Sequence, residues 1–598
     1  MSDPVSPAFF DADGRLRSHR HGDVYFSREG GLAEARAVFL AGCGLPDRWS
    51  ARRRFTVGEL GFGTGLNIVA LLDLWRRAGP PEGRLSIFSV EAQPVPQADA
   101  RRALAAWPEV GDLADRLLAR WPGRRAGFQR IEFPELRASL DLAVMDAAAA
   151  LGEWQGAADA WFLDGFAPAV NPEMWSDELM RLVARRSRPG ARAGTYTVAG
   201  QARRALAAAG FEVARRPGFG AKRQRLEATL AGAPPSEPEL RPRVVIIGAG
   251  VAGAALARAF GNAGVNARVL DAAGAGAGAS GNPAALVTPR LDAGLGPVAR
   301  LHAQAFHHAC GLYERLAGAV IAESVMQLET QERDAARFAK IAASDLFEPG
   351  ALTPIPADAA TARLGEAASA ALALSAALVI DPAVVLAAWL PSVERAAVGQ
   401  IREAGASWRL FDPSGAALGE AEIVCLALGS ALSGVWPDAP VSPVRGQLSW
   451  IAGAPAPPAV AWGAYVAPTR DGVMFGATHD RDDAASDRRD RDDARNLAAV
   501  AARLPGLAAR LAARPVQARA SVRAVTRDRL PIAGQLRPGL LVLGGLGARG
   551  FALAPLLAEH LAATALGTPS PLPRQLAAAV RPDRLAVAGP DARAAAAP

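Results

Sequence analysis

Apolar residues fall along the chain in two recurring patterns. Short runs rich in Val, Ile, Phe and Leu, closed by Gly, Asp, Glu or Pro, read as buried strands. Longer stretches at helical spacing follow several of them. Residues 55–75, FTVGELGFGTGLNIVALLDLW, read as strand, glycine turn and helix. Three further runs end in an acid. LSIFSVEAQP (85–94) reaches Glu91, LDLAVMDA (140–147) reaches Asp146, and ADAWFLDGFAP (158–168) reaches Asp164. A second strand–turn–helix opening, VVIIGAGVAGAALARAF, spans 244–260, and NARVLD then ends in Asp271. Between the two openings, residues 231–243 (AGAPPSEPELRPR) are rich in Pro and polar groups and lack apolar periodicity. The pattern predicts an α/β chain in two halves, residues 1–232 and 244–568. They are joined by a linker at 233–243, and an Ala/Pro/Arg-rich tail at 569–598 is expected to end loosely. No short-period repeat is evident.

Composition narrows the classes. The chain has 598 residues, half of them hydrophobic and 21% charged, which is ordinary chemistry for several packed domains. A disordered chain, a collagen and a disulfide-stapled miniprotein are excluded. The formal charge is +7, but only Lys222 and Lys340 are lysines. With so much Ala and Gly, the arginines read as composition bias, not as a bulk nucleic-acid signal. Cys43, Cys310 and Cys425 are far apart, with no CxxC or Cys/His cluster, so neither a disulfide framework nor a metal site is expected. The amino-terminal residues lack a basic region followed by an apolar core. The longest charge-free apolar stretch, 367–380, is shorter than the roughly 20 residues of a membrane span. A cytoplasmic protein without membrane contact is expected.

The first half carries the chemistry of a nucleoside-type cofactor. Gly61, Gly63 and Gly65 permit a tight turn that a ligand can approach, and the helix after it points its N-terminus at the same place. An acid at the tip of the next strand, Glu91, is suited to a pair of ribose hydroxyls. Asp146 and Asp164 stand at later strand tips, and in a doubly wound sheet such tips converge on one crevice. No Gly-Lys-Ser/Thr is present for a triphosphate. The series Glu59, Gly61, Gly63, Glu91, Asp146, Asp164 therefore fits S-adenosylmethionine better than NAD or ATP. The plainer alternative is that Glu91 and Asp146 only cap helices.

These residues also carry a resemblance. DVYFS (23–27), ELGFGTGLN (59–67), DAWFLDGFAPAVNPEMW (159–175) and RRPGFGAKRQ (215–224) resemble the methyltransferase half of MnmC, a family of bifunctional bacterial tRNA-modification enzymes. The resemblance implies that Glu59, Gly61, Gly63, Gly65, Asn67, Glu91, Asp146 and Phe166 meet the methyl donor. Asp164 would stand at the methyl-transfer centre. The rival reading of Asp164 is a cap for the next helix.

In the second half, Gly248, Gly250 and Gly253 lie in GxGxxG register between strand and helix, with Asp271 about 20 residues on, a dinucleotide fingerprint. The downstream segments support FAD better than NAD. GAGASGNPAALVTP (276–289) offers Ser280 and Asn282, and EIVCLALGS (422–430) is a strand closing on Gly429. ASVRAVTRDRLPIAG (520–534) and LLVLGGLGARGFALAPLLAEHLA (540–562) resemble the closing flavin segment of the glycine-oxidase and D-amino-acid-oxidase superfamily. That resemblance implies a Rossmann-type FAD domain with an α+β substrate subdomain. It places Arg549 and Gly550 at the flavin, and Arg523 and Tyr465 in the substrate pocket. Arg523 is suited to a bidentate carboxylate clamp. Surface solvation of Arg523 and core packing of Tyr465 remain open alternatives.

Together the resemblances imply two consecutive steps on the wobble uridine of tRNA. FAD-dependent oxidation would remove the carboxymethyl group from a 5-carboxymethylaminomethyl uridine, and S-adenosylmethionine would then methylate the freed amine. The tRNA anticodon stem-loop is the expected partner, RRPGFGAKRQR (215–225) with Phe219 a candidate contact, and a monomer is expected. Two rivals stand beside this reading: a fused oxidase and methyltransferase for free glycine-like metabolites, and a tRNA-binding scaffold with decayed cofactor sites.

Overall fold

A computed structural model describes residues 6–26, 30–220, 222–233 and 241–585. The chain divides into two compact units. The first comprises Met1–Leu240 with Pro569–Arg574, the second Arg241–Thr568 with Gln575–Pro598. Residues 234–240, inside the expected linker, lie outside the described residues.

The first unit opens with a hairpin, β1 (Ala8–Phe10) and β2 (Leu16–Ser18). Its main sheet contains β3 (Arg54–Leu60), β4 (Arg84–Val90), β5 (Gly127–Phe133), β6 (Ala138–Val144), β7 (Ala158–Leu163), β8 (Ser187–Thr195), β9 (Phe211–Pro217) and β10 (Gln224–Leu230). The order across the sheet is β5-β6-β4-β3-β7-β8-β10-β9. Strands β6, β4, β3, β7 and β8 run parallel; β5, β10 and β9 pair antiparallel at the two sides. The parallel strands are buried on both faces, which is why the sequence shows continuous apolar runs here and not alternation. From central β3 the chain first builds outward through β4 and β6, then returns to β7 on the other side. The reversal between β3 and β7 opens a crevice at the carboxyl edge.

The second unit has a parallel core of Ala267–Asp271, Val244–Ile247, Ile423–Leu426 and Leu540–Gly544. Ile532–Arg537 closes one side antiparallel. Helices Val251–Asn262, Pro297–Tyr313 and Gly550–Leu566 serve this layer. A separate ten-stranded mixed sheet carries the long strands Ala371–Ile380, Val441–Ala452 and Gln517–Thr526. This is the expected α+β partner of the dinucleotide layer.

The tail departs from the sequence expectation. Arg574–Val580 is a helix, Leu572, Leu576, Ala577, Val580 and Leu585 are buried, and Arg584 pairs with Asp528 at 3.0 Å. The apolar positions at 576, 577 and 580 have helical spacing, a signal that the Ala/Pro/Arg composition of the tail obscures. The rest of the tail, 586–598, lies outside the described residues.

Candidate functional site

A cavity of about 790 Å³ opens at the carboxyl edge of the first unit's sheet. That volume is in the usual range of small-molecule sites, roughly 300–1,000 Å³. It is lined by Gly61, Gly63, Asn67, Glu91, Asp146, Asp164 and Phe166, so the structure brings together seven of the nine residues expected here. Gly61 has φ +97, and a Cβ there would lie 2.3 Å from the Asp164 carbonyl oxygen. Only glycine lets the turn after β3 pass so close to the tip of β7.

Each acid is held in its own way. Glu91 accepts hydrogen bonds from the Gly63 N–H (3.0 Å) and the Gln93 N–H (2.9 Å). Burial pushes its carboxyl upward, and these N–H groups oppose the shift. Asp146 accepts from the Ala149 N–H at 3.0 Å and caps helix Ala147–Glu153 while still facing the cavity. The capping alternative for Asp146 is therefore correct as local structure and compatible with a site role. Asp164 caps nothing. Its Oδ2 accepts from the Asn67 amide at 2.7 Å, and burial pushes its carboxyl up to about 7 against that bond.

Two expected residues stand off the cavity. Gly65, φ +75, is the N-cap of helix Leu66–Ala78 and faces Leu117 and Phe62. Glu59 is fully buried in β3 beneath the turn, where the Ser89 hydroxyl donates to it at 2.5 Å. Burial pushes its carboxyl up to about 8.

Sequence reasoning missed the cover of the site. Tyr25 meets Phe166 edge-on at 5.3 Å, and His21 lies 5.0 Å from the same ring. The Ala167 N–H donates to Asp23 at 3.1 Å, so the segment after β2 fixes the loop behind Asp164. The Tyr196 hydroxyl donates to the Gly165 carbonyl at 2.7 Å. Lys222 and Glu34 also line the cavity. DVYFS and RRPGFGAKRQ, both carriers of the family resemblance, were the available signals for Tyr25 and Lys222.

In the second unit, Gly248 and Gly250 form the turn between Val244–Ile247 and helix Val251–Asn262, and Gly253 lies in the first turn of that helix. A Cβ on Gly253 would lie 1.8 Å from the Gly248 carbonyl oxygen, so helix and strand touch only because this side chain is absent. Asp271 accepts from the Ala249 N–H and, through its other oxygen, from Ala273 and Gly274, all at 2.8 Å. The Ser280 hydroxyl accepts from the Val251 N–H at 2.9 Å at the helix N-terminus, with half-buried Asn282 just beyond. Gly429 begins a turn after Ile423–Leu426, with open space where its side chain would be. Gly550 begins helix Gly550–Leu566, and a Cβ there would lie 3.1 Å from Val251, so two helix N-termini converge. Beside them, Arg549 Nε is buried without a hydrogen-bond partner. A glycine turn packed tightly against the helix, converging helix ends and an unspent buried cation suit an anionic dinucleotide such as FAD.

Arg523 sits on Gln517–Thr526 opposite Val444, and its charge draws down the Tyr465 phenol that burial raises. His479, which sequence reasoning did not find, places Nδ1 3.5 Å from Arg523 Nη1. Burial and the nearby Arg523 charge lower the His479 imidazole.

Comparisons with known proteins agree with this division. A family model described as S-adenosyl-L-methionine-dependent methyltransferase matches residues 108–231, and one described as FAD dependent oxidoreductase matches 243–564. A protein of Caulobacter sp. (strain K31), the tRNA 5-methylaminomethyl-2-thiouridine biosynthesis bifunctional protein MnmC, is 56% identical over 594 residues, 98% of either chain. The chain belongs to the MnmC family. An MnmC of Maricaulis maris (strain MCS10) is 44% identical, covering 95% of this chain and 94% of its own. Among solved structures, MnmC2 of Aquifex aeolicus is 27% identical and covers 40% of this chain and 74% of its own, with a TM-score of 0.32. Like the family, the chain pairs a methyltransferase that uses S-adenosylmethionine with an oxidoreductase that uses FAD. Among the described residues no helix is long and apolar enough to cross a membrane, and no group of three or more His, Cys, Asp or Glu is placed to hold a metal ion.

Proposed function

We propose that this chain carries out two consecutive steps on the wobble uridine of tRNA. The second unit oxidises the CH–NH bond of a 5-carboxymethylaminomethyl group to an imine, which water cleaves to a 5-aminomethyl group and glyoxylate. The first unit then methylates that primary amine to 5-methylaminomethyl. The order is forced, because methylation needs the amine that oxidation releases. The observation that carries the reading is 56% identity to a bifunctional MnmC across 98% of both chains. It favours a tRNA substrate over free metabolites. A tRNA substrate puts the reaction in the cytoplasm, and because one chain carries both sites, a monomer suffices.

In the first unit, Glu91 is placed for ribose hydroxyls. Asp164 is placed to accept from the substrate amine, an alkylammonium that cannot attack until it gives up a proton. The Asn67 amide at 2.7 Å fixes the carboxylate, and Phe166, braced by Tyr25, is a platform for the base. Most of the acceleration comes from holding amine and methyl group in line. When bound, FAD supplies the two-electron acceptor. Arg523, beside His479 and within electrostatic reach of Tyr465, is placed to clamp the substrate carboxylate through its fork of N–H donors. Arg549 is placed to neutralise negative charge at the converging helix ends.

The test is nucleoside mass spectrometry on tRNA from a strain lacking this protein. Purified protein with S-adenosylmethionine should convert the carboxymethylaminomethyl nucleoside to the methylaminomethyl one. Without methyl donor it should stop at aminomethyl. Turnover of free glycine or sarcosine with untouched tRNA would refute the reading.

A further inference from the structure

One of the chain's two lysines stands in the methyl-transfer cavity. Lys222 Nζ lies 2.7 Å from Glu34 Oε1 and 4.0 Å from the centroid of the Tyr196 ring. Glu34 belongs to the short helix Gly31–Glu34, and Lys222 to the connection between β9 and β10, so the pair is 188 residues apart in sequence. Tyr196 is itself anchored to the loop behind Asp164 by its bond to the Gly165 carbonyl. The lysine is thus fixed from two sides, and the Asp164 carboxyl responds to both partners, raised by Glu34 and lowered by Lys222. Lys222 is exposed and Glu34 buried, so the pair keeps a buried carboxylate partnered. Its location calls for another role.

The remaining charges of the cavity are unbalanced. Asp23, Glu91, Asp146, Asp164, Glu173 and Glu178 line it, against Arg20. The two nucleosides on either side of the oxidation differ by one CH₂COO⁻ group. An unpaired lysine here would hold that carboxylate by a charge-assisted bond, and unprocessed tRNA would occupy the methylating site. Tied to Glu34, the lysine has its charge offset and one of its donors taken, and the surrounding acids repel the carboxylate while favouring an ammonium. Discrimination by a built-in repulsive element is a general route to specificity.

We propose that the Glu34–Lys222 pair is a specificity-determining element of the methyl-transfer site: it keeps the cavity's lysine from capturing a carboxylate, so that the site accepts the primary amine and rejects its carboxymethylated precursor. This rests on the methyl-transfer role proposed for the first unit.

The test uses the full-length protein methylating an anticodon stem-loop that carries 5-aminomethyluridine. One competitor carries 5-carboxymethyluridine, which has no CH–NH bond to oxidise, and the other plain uridine. For the wild type, the carboxymethyl competitor should inhibit no better than plain uridine. In Glu34→Gln the carboxymethyl competitor should become at least tenfold the stronger, and adding Lys222→Met should erase that gain. If Glu34→Gln does not fold, Glu34→Asp, which shortens the acid by one methylene, should show a smaller gain in the same direction. A wild type that prefers the carboxymethyl competitor, no gain in the Glu34 variants, or a gain that survives Lys222→Met would overturn the proposal. So would equal weakening of both competitors by Lys222→Met alone, the mark of a phosphate contact. If the wild type fails to methylate the aminomethyl stem-loop, the parent reading falls. If it methylates normally and the variants show no gain, only the role of the pair falls.

Discussion

A half-buried and a fully buried carboxyl of the first unit differ in what surrounds them, and so in what they can do. Asp164 faces the cavity with a carboxyl pushed up to about 7 by burial and steadied by Asn67. For the free enzyme, kcat/KM for methylation should therefore rise as pH passes about 7 and Asp164 loses its proton. Asp164→Asn should remove that limb and slow methylation by roughly 10²–10⁴. Methyl-donor binding, followed by calorimetry, should persist, and aminomethyl tRNA should accumulate. A variant that methylates at the normal rate would make Asp164 structural. Glu59 has no outlet to the cavity, and its carboxyl is pushed up to about 8. The folded chain holds that proton well above the ordinary carboxylate range, whereas the unfolded chain releases it near 4.5. Between those values the native state binds more protons, so this group lowers stability as pH rises, by at most about 1.4 kcal/mol per pH unit. Glu59→Gln should remove that slope. Its melting temperature should approach or pass that of the wild type as pH goes from 5 to 9, and parallel curves would refute the buried-acid account.

At the level of elements, the turns that carry both sites were legible because they break a strong pattern. Continuous apolar strands halted by glycine or acid gave the tips at Gly61, Glu91, Asp146 and Asp164, and the structure gathers all four. Glu59 and Gly65 were drawn in by the same motif, but neighbouring positions of a strand or turn point to different sides, and these two face the core. Glu34 and Tyr196 were hidden for a different reason. Each comes from a distant segment, and only the closure of β8, β9 and β10 against the amino-terminal helices assembles them. His479 was likewise invisible until strand pairing set it beside Arg523. The second glycine turn yields its own prediction. Gly253→Ala would place a Cβ 1.8 Å from the Gly248 carbonyl oxygen and force helix Val251–Asn262 off the strand. The purified variant should lose the flavin absorption bands, and retained yellow colour would refute the close-packing argument. Arg523→Ala should keep the bands but weaken the carboxymethylaminomethyl substrate roughly tenfold to a hundredfold, the loss of a charge-assisted bond of about 1.5–3 kcal/mol. Arg523→Lys should rescue little, since the fork is lost. Unchanged flavin reduction in a single turnover would remove Arg523 from the site.

At the scale of the whole molecule, the halves are a proposal about independence as well as a description. Residues 1–233 alone should methylate aminomethyl tRNA, with folding checked by circular dichroism. The carboxyl-terminal half should not tolerate a cut at 568, because Leu576, Val580 and Leu585 are buried and Arg584 holds Asp528. Each large buried apolar side chain contributes about 1.5–3 kcal/mol. Residues 241–585 should melt clearly above residues 241–568, and equal melting would mean the helix Arg574–Val580 is dispensable. The scarcity of lysine has a practical corollary. Lys340 lies on helix Arg333–Ala342 of the second unit, while Lys222 is held in the methyl-transfer cavity. An amine-selective reagent such as an N-hydroxysuccinimide ester thus finds two side chains on nearly 600 residues, one a bystander and one a reporter. Peptide mass mapping of the ratio between them turns ordinary acylation into a gauge of whether that cavity is filled, with Lys340 as the internal standard.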